Sequence, residues 1–255
     1  MSRGCGKTPA FVRARPKAAV MRIAIVETGA PPPALKRRHG GYPQMLERLL
    51  APFLPGASFP VFSVFEGAPP PPLAAFDGLL LTGSPAGVYE PHAWIAPLEA
   101  LVRDAARAGK PQVGVCFGHQ LMAQAFGGRV EKSDKGWGVG AHSYDVFAPR
   151  DWMRPFARRI ACAVSHQDQV TQLPPGAVRL AGSDFCPNGA LEYPGAPAVS
   201  FQMHPEFDHA FAADLIRARR ERIPAALADE ALASLQRETD RMRIAQWIAA
   251  FFQSA

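Results

Sequence analysis

No apolar run in this 255-residue chain approaches the length of a membrane-spanning helix, so no membrane association is expected. Cysteine is scarce. Cys5, Cys116, Cys162 and Cys186 are scattered without a C-x-x-C pair, which argues against a disulfide framework and against a zinc site. A reducing cytoplasm is the expected setting. The glycine-rich pieces lack a phosphate-binding fingerprint, and no internal repeat is visible. Acidic residues are missing from residues 1–20, which carry Arg3, Lys7, Arg13, Arg15 and Lys17. Without those five the remaining 23 basic residues face 22 acidic ones. The net charge of +6 therefore belongs to a tail and not to a nucleic-acid-binding face.

What is present is a globular composition, with 48% hydrophobic and 20% charged residues. The length fits one large α/β domain with appendages. Residues 1–20 have no periodicity and no apolar core of the secretory kind. They read as a disordered basic extension with Met21 the functional beginning, although an Arg-containing, acid-free stretch also fits an organelle-type presequence. Residues 21–255 then read as a single domain.

Met21–Glu27, Phe59–Phe65, Phe76–Leu81 and Val113–Val115 have the short apolar runs of buried strands. Pro43–Ala51 and Ala93–Ala108 carry apolar residues at helical spacing, and a Pro-rich loop precedes the first of them. Strand and helix in alternation predict a three-layer α/β fold, its mainly parallel sheet flanked by helices and flavodoxin-like in broad architecture, with the site at the carboxyl ends of the strands. Past Gly128 the short alternating runs within Arg129–Phe147 and Ile160–Ser183 predict antiparallel strands that extend the sheet or wrap its edge. Ala198–Met203 is a late strand. Phe207–Arg222 and roughly Ala225–Phe252 are helical, with Trp247, Ile248, Phe251 and Phe252 either capping the core or forming an oligomer contact. Cys162 is expected to pack in a strand, Cys186 to sit in a loop and His209 to start a helix.

The chain turns from strand to helix at Gln112–Gly128, QVGVCFGHQLMAQAFGG. Cys116 stands at that turn, with Gly114 and Gly118 two residues to either side, in the manner of a Gly-x-nucleophile-x-Gly elbow. There the next helix's N-terminus and its free N–H groups favour a thiolate. A small buried cysteine is the competing reading of this stretch alone. A nucleophile needs a base, and the base an orienting partner. His204 and Glu206, i and i+2 beyond a strand, place a carboxylate beside an imidazole if the chain there is extended. Cys116, His204 and Glu206 thus form a candidate triad, with the backbone N–H groups of Gly83 and Phe117 as oxyanion donors. His204 and His209 flank Glu206 and Asp208, but the spacing matches no familiar metal-ligand pattern. No metal or other cofactor is expected. Trp137 reads equally as a hydrophobic anchor or a pocket wall.

Three segments, VGVCFGHQLMAQAFGG, LLLTGSP and FQMHPEF, resemble the signatures of class I (triad-type) glutamine amidotransferases. GGYPQMLERLL, KGWGVG and SHQDQV resemble further segments of the free-standing subgroup related to the amidotransferase domain of GMP synthase. The resemblance runs from about Met21 to about His209. It implies Cys116 as nucleophile, His204 as base and then acid, and Glu206 as its orienter. It also implies Gln120 against the amino-acid end of the substrate, and Ser165, Gln167 and Asp168 around the pocket. Gln167 stands where related proteins often have glycine, and Asp168 reads either as a partner for an α-ammonium or as a turn residue. The implied reaction is hydrolysis of the glutamine side-chain amide through a γ-glutamyl thioester, releasing ammonia to a separate synthetase. A free-standing hydrolase of γ-glutamyl peptides or amides is the alternative, and a non-catalytic interaction protein on the same fold a third.

Because residues 1–20 hold the charge excess and no core pattern, a protein starting at Met21 is expected to fold and react normally. Thermal melts of the two lengths check this, and a marked loss of stability on truncation contradicts it.

Overall fold

The computed structural model describes residues 20–254, so the expectation for residues 1–20 lies, Val20 apart, outside the described residues. In chain order the elements are β1 (Ile23–Glu27), α1 (Pro33–His39), α2 (Tyr42–Leu50), β2 (Val61–Ser63), β3 (Gly78–Leu81), α3 (Ile95–Arg107), β4 (Gln112–Val115) and α4 (Phe117–Ala125). They are followed by β5 (Arg129–Lys132), β6 (Gly138–Val146), β7 (Arg159–His166), β8 (Asp168–Gln172), β9 (Val178–Gly182), β10 (Ala190–Glu192) and β11 (Ala198–Phe201). The chain closes with α5 (His209–Ala218), α6 (Ala225–Ser234) and α7 (Arg241–Ser254).

Nine strands form one sheet in the order β2-β1-β3-β4-β11-β10-β9-β6-β7. From β2 to β11 neighbours run parallel, and from β11 onward they run antiparallel. β5 and β8 pair separately as an antiparallel ribbon. Of the late strands expected, β6, β7 and β9 extend the sheet, while β5 and β8 form a separate ribbon against α4.

The period of two decides the layers. Ile23 and Ile25 of β1 point into an apolar cluster with α2 and α7, which includes Leu46, Trp247 and Ile248. Ala24 and Val26 point the other way, into a cluster with α3 and α4 that includes Leu98, Val102, Leu121 and Met122. A third cluster lies where α1, α2, α5 and α6 meet β6 and β7, around Phe207, Phe211, Val139 and Ala163. Both faces are covered over β1, β3, β4 and β11, which is why these strands read as unbroken apolar runs. The strand expected to be buried at Phe59–Phe65 is instead the short edge strand β2, with Val61 exposed.

Three differences from the expected elements have physical reasons. The Pro-rich loop contains a helix, α1. Pro33 sits at its first position, where a missing N–H is harmless, and Gly40 ends it with φ 88°. Strand β10, at three residues, is too short to show a pattern. The expected long C-terminal helix is two helices. Asp240 interrupts it, its carboxylate accepting from Ala161 N at 2.9 Å and its own N–H donating to Ala161 O at 2.7 Å, which ties the break to β7.

Trp247 and its neighbours are core residues and not a surface patch. Trp247 is fully buried, and its indole N–H donates to Pro155 O at 3.1 Å. Trp247→Ala is expected to lose about 3–5 kcal/mol of stability, read by denaturant titration. A loss well under about 1 kcal/mol would mean that α7 does not seal this face.

Candidate active site

β4 ends at Val115 and α4 begins at Phe117, leaving Cys116 alone to make the turn. It does so with φ 51° and ψ −101°, the single positive φ at a non-glycine residue among the described residues. Such a conformation persists only where the surroundings over-determine it. The flanking glycines supply that constraint by closeness and not by left-handed backbone, since neither has a positive φ. A Cβ on Gly114 would lie 2.5 Å from Gly118 O, and one on Gly118 would lie 2.5 Å from Leu81 O. α4 therefore seats directly on β3 and β4 and holds the thiol at the carboxyl ends of the strands.

The chain leaving β11 brings in His204 and Glu206. Both are buried, and His204 Nδ1 lies 2.7 Å from Glu206 Oε1. The expected extended chain is absent: Pro205 and Glu206 form a turn, closed by Phe207 N donating to His204 O at 3.2 Å. The carboxylate reaches the ring by folding back. With Nδ1 held by Glu206, Nε2 is the nitrogen left for Cys116. Burial opposes charge on this ring, but the facing charges of Cys116 and Glu206 outweigh it and push the His204 pKa up to about 10. Phe207 stacks on the imidazole at 3.9 Å between centroids and 6° between planes, and Tyr42 stacks on Phe207.

Gly83, at the end of β3, approaches both groups. A Cβ there would lie 2.8 Å from His204 Cε1 and 3.6 Å from Cys116 Cβ, so no side chain fits. The amide N–H groups of Gly83 and Phe117 donate to no acceptor among the described residues. Cys116, Gln120, Ser165, Gln167 and Asp168 line one cleft, together with Ser84–Ala86, Trp137, His166, Arg219 and Arg222. His204 and Glu206 are buried and are not among the lining residues. Gln120 Nε2 donates to Asp168 O at 2.9 Å and to Gln202 Oε1 at 3.1 Å, which ties α4 to β8. Tyr89 OH donates to Asp168 Oδ1 at 3.1 Å, while burial raises the pKa of this carboxyl group.

The other histidines of the motif segments are poor bases. Burial pulls both His119 and His166 down to about 3. His119 Nδ1 is moreover engaged with Ser200 Oγ at 2.7 Å. Cys162 and Cys186 are buried away from the cleft, in β7 and in a loop, and burial pushes both thiols up, Cys186 to about 12. His209 is the first residue of α5, behind an Asp208 cap that accepts from Phe211 N. Among the described residues no cluster of His, Cys, Asp or Glu fits a metal ion. Trp137 is a cleft wall. Sequence reasoning misses Tyr42, Tyr89, Phe207, Arg219 and Arg222. Tyr42 and Phe207 lie inside quoted segments, but their stacking has no sequence signature.

A thiol on a strained strand-to-helix turn, beside an acid-held imidazole at the carboxyl edge of a parallel sheet, places the chain among α/β proteins built around a cysteine elbow. The model of the family "Glutamine amidotransferase class-I" matches residues 59–218, and the chain belongs to that family. It is 38% identical over 99 residues to the matching part of a glutamine-hydrolyzing GMP synthase subunit from Methanosarcina acetivorans, a match covering 39% of this chain and 52% of that one. It thus spans about half the length of that relative. Gamma-glutamyl peptidase 3 of Arabidopsis thaliana is 28% identical over 68% of this chain and 72% of its own. A solved glutamine amidotransferase from Thermotoga maritima covers 92% of this chain and 97% of its own with a TM-score of 0.73 at 19% identity, a likeness of fold.

The raised His204 value has a testable consequence. It lies above the 6.5 of an unperturbed ring, so the charged ring's contribution to stability is fully present below about pH 6.5 and is lost as pH rises through about 10. Glu206→Gln removes one of the two facing charges. Its thermal midpoint should fall furthest below wild type near pH 6 and approach it toward pH 10. A gap that widens with pH contradicts the assignment.

Proposed function

We propose that the protein hydrolyses the amide bond of a γ-glutamyl group, with the side-chain amide of glutamine as the parent substrate and ammonia as its product. The observation carrying this reading is Cys116, held at positive φ on the elbow, together with a His204 imidazole whose Nδ1 is held by Glu206.

In this reading the Cys116 proton already rests on His204, whose charged form is favoured, and the thiolate sulfur attacks the amide carbon. The oxyanion forms between the Gly83 and Phe117 N–H groups, where preorganised donors are worth most. As the C–N bond breaks, the imidazolium returns its proton to the leaving amine. The γ-glutamyl thioester on Cys116 is then attacked by water, His204 again taking the proton, and glutamate departs with the thiol restored. Gln120, Ser165, Gln167 and Asp168 form the wall against which the amino-acid end lies, the Asp168 carboxylate facing the α-ammonium. The likeness to a GMP synthase component supports a role in supplying ammonia to a separate synthetase. A free-standing γ-glutamyl hydrolase is the second reading, supported by the cations beside the site, Arg219 and Arg222.

Steady-state kinetics on folded variants, with glutamine and γ-glutamyl dipeptides, test the assignment. Cys116→Ser should abolish turnover, because a hydroxyl is far less acidic than a thiol. His204→Ala should lose about 10²–10⁴-fold or more, the scale of a general acid–base. Glu206→Gln should retain residual activity, and joined to Cys116→Ser should add little, since groups acting as a unit are not additive. A folded His204→Ala protein with near-normal turnover would falsify the triad.

A glutamine-like electrophile should also label Cys116 in the native protein while sparing Cys162 and Cys186. Equal labelling of the three, mapped by peptide mass spectrometry, would remove the elbow's special status.

A further inference from the structure

The last turn of α5 and the segment after it carry four arginines, Arg217, Arg219, Arg220 and Arg222. Two of them are neutralised on the surface: Arg217 by Asp214 at 3.0 Å and Arg220 by Asp229 at 2.7 Å. The other two, Arg219 and Arg222, line the Cys116 cleft and have no acidic partner among the described residues. They spread over one indole, with their guanidinium carbons 5.9 and 5.7 Å from the centroid of Trp137. Arg219 is further fixed by donating to Ser165 Oγ at 2.7 Å. Two cations held by an aromatic plate and a hydroxyl, with no counter-charge, are ready for an anion.

The side of the cleft decides which anion. Gln120, Asp168 and Tyr89 are bonded together on one side, where the amino-acid end of the γ-glutamyl group is placed. Arg219 and Arg222 belong to the other side, which meets the first at Ser165. Trp137 beneath the two guanidinium groups packs against the apolar cluster that holds Tyr42 and Phe207, and Tyr42 stacks on Phe207, which stacks on His204. The arginines thus stand with the imidazole that delivers a proton to the departing amine. Ammonia leaving glutamine offers nothing for a guanidinium to bind. An amine that carries its own carboxylate does.

We propose that Arg219 and Arg222, spread over Trp137, bind a carboxylate of the leaving group, so that the preferred substrates are γ-glutamyl peptides with a free carboxylate next to the scissile bond. This rests on the γ-glutamyl hydrolysis proposed above and narrows its substrate class. The bonds made and broken are the same. The leaving group is an amino acid instead of ammonia.

The test compares γ-glutamylglycine with γ-glutamylglycinamide, which differ only in that carboxylate, on the full-length protein. The wild type should favour the acid by roughly ten- to a hundredfold in kcat/KM, the worth of a charge-assisted hydrogen bond. Arg222→Gln should collapse that ratio toward one, and Arg222→Lys should keep part of it. A wild-type ratio near one overturns the proposal, as does a ratio unchanged in both Arg219→Gln and Arg222→Gln. If Arg222→Gln instead penalises glutamine relative to its α-amide, the cations read the α-carboxylate and the proposal also fails. Should neither dipeptide be turned over while glutamine is, the leaving-group proposal fails; should glutamine not be turned over either, the hydrolysis reading falls. Calorimetry on Cys116→Ala then decides the binding claim alone: tighter binding of the acid than of the amide supports it, and equal or undetectable binding refutes it.

Discussion

The site depends on how closely one helix approaches two strands. Gly118 of α4 lies against the carbonyl of Leu81 at the end of β3, and Gly114 of β4 lies against Gly118. Nothing larger fits in either place without moving backbone. That contact leaves one residue between strand and helix, and the residue has to adopt a conformation that side-chain-bearing residues avoid. The strain is confined to Cys116. In return the thiol is lifted out of the sheet, above the first turn of α4, where unpaired N–H groups gather.

The second constraint is electrostatic. An imidazole buried this completely would ordinarily be neutral, as His119 and His166 are. His204 differs because two groups of opposite charge face it, one from the end of β4 and one from its own turn. The sheet brings those groups together: β4 and β11 are parallel neighbours, so Cys116 and His204 emerge side by side from adjacent carboxyl ends. The stacked rings of Phe207 and Tyr42 close the remaining face of the imidazole and link it to α2. The geometry at one side chain thus draws on β4, β11, the turn after it and α2.

Much of this is legible in the sequence, and the reasons divide cleanly. The parallel strands are, because full burial makes them continuous apolar runs. The elbow is, because close packing leaves glycine on both sides of a cysteine. The order of the late strands along the sheet is not, since β8 leaves the sheet to pair with β5 and β9 then returns to pair with β6. Local pattern also misjudges Pro31, Pro32 and Pro33, where only the helix that Pro33 opens reveals their use as a start. The turn at His204–Glu206 reads as extended in the sequence, and it reaches the same contact by a different backbone. Arg219 and Arg222 carry no local signal, because their partners, Ser165 and Trp137, lie more than fifty residues away in the chain. Only the packing of α5 against β7 and β6 brings them together.

Trapping the covalent intermediate tests the central claim most directly. The protein is mixed with a γ-glutamyl substrate, quenched in acid during turnover and digested for mass spectrometry. A γ-glutamyl adduct on the peptide containing Cys116, sensitive to hydroxylamine and missing from the Cys116→Ser protein, is the predicted result. Turnover that proceeds with no adduct at Cys116, or with the adduct on another residue, would contradict it.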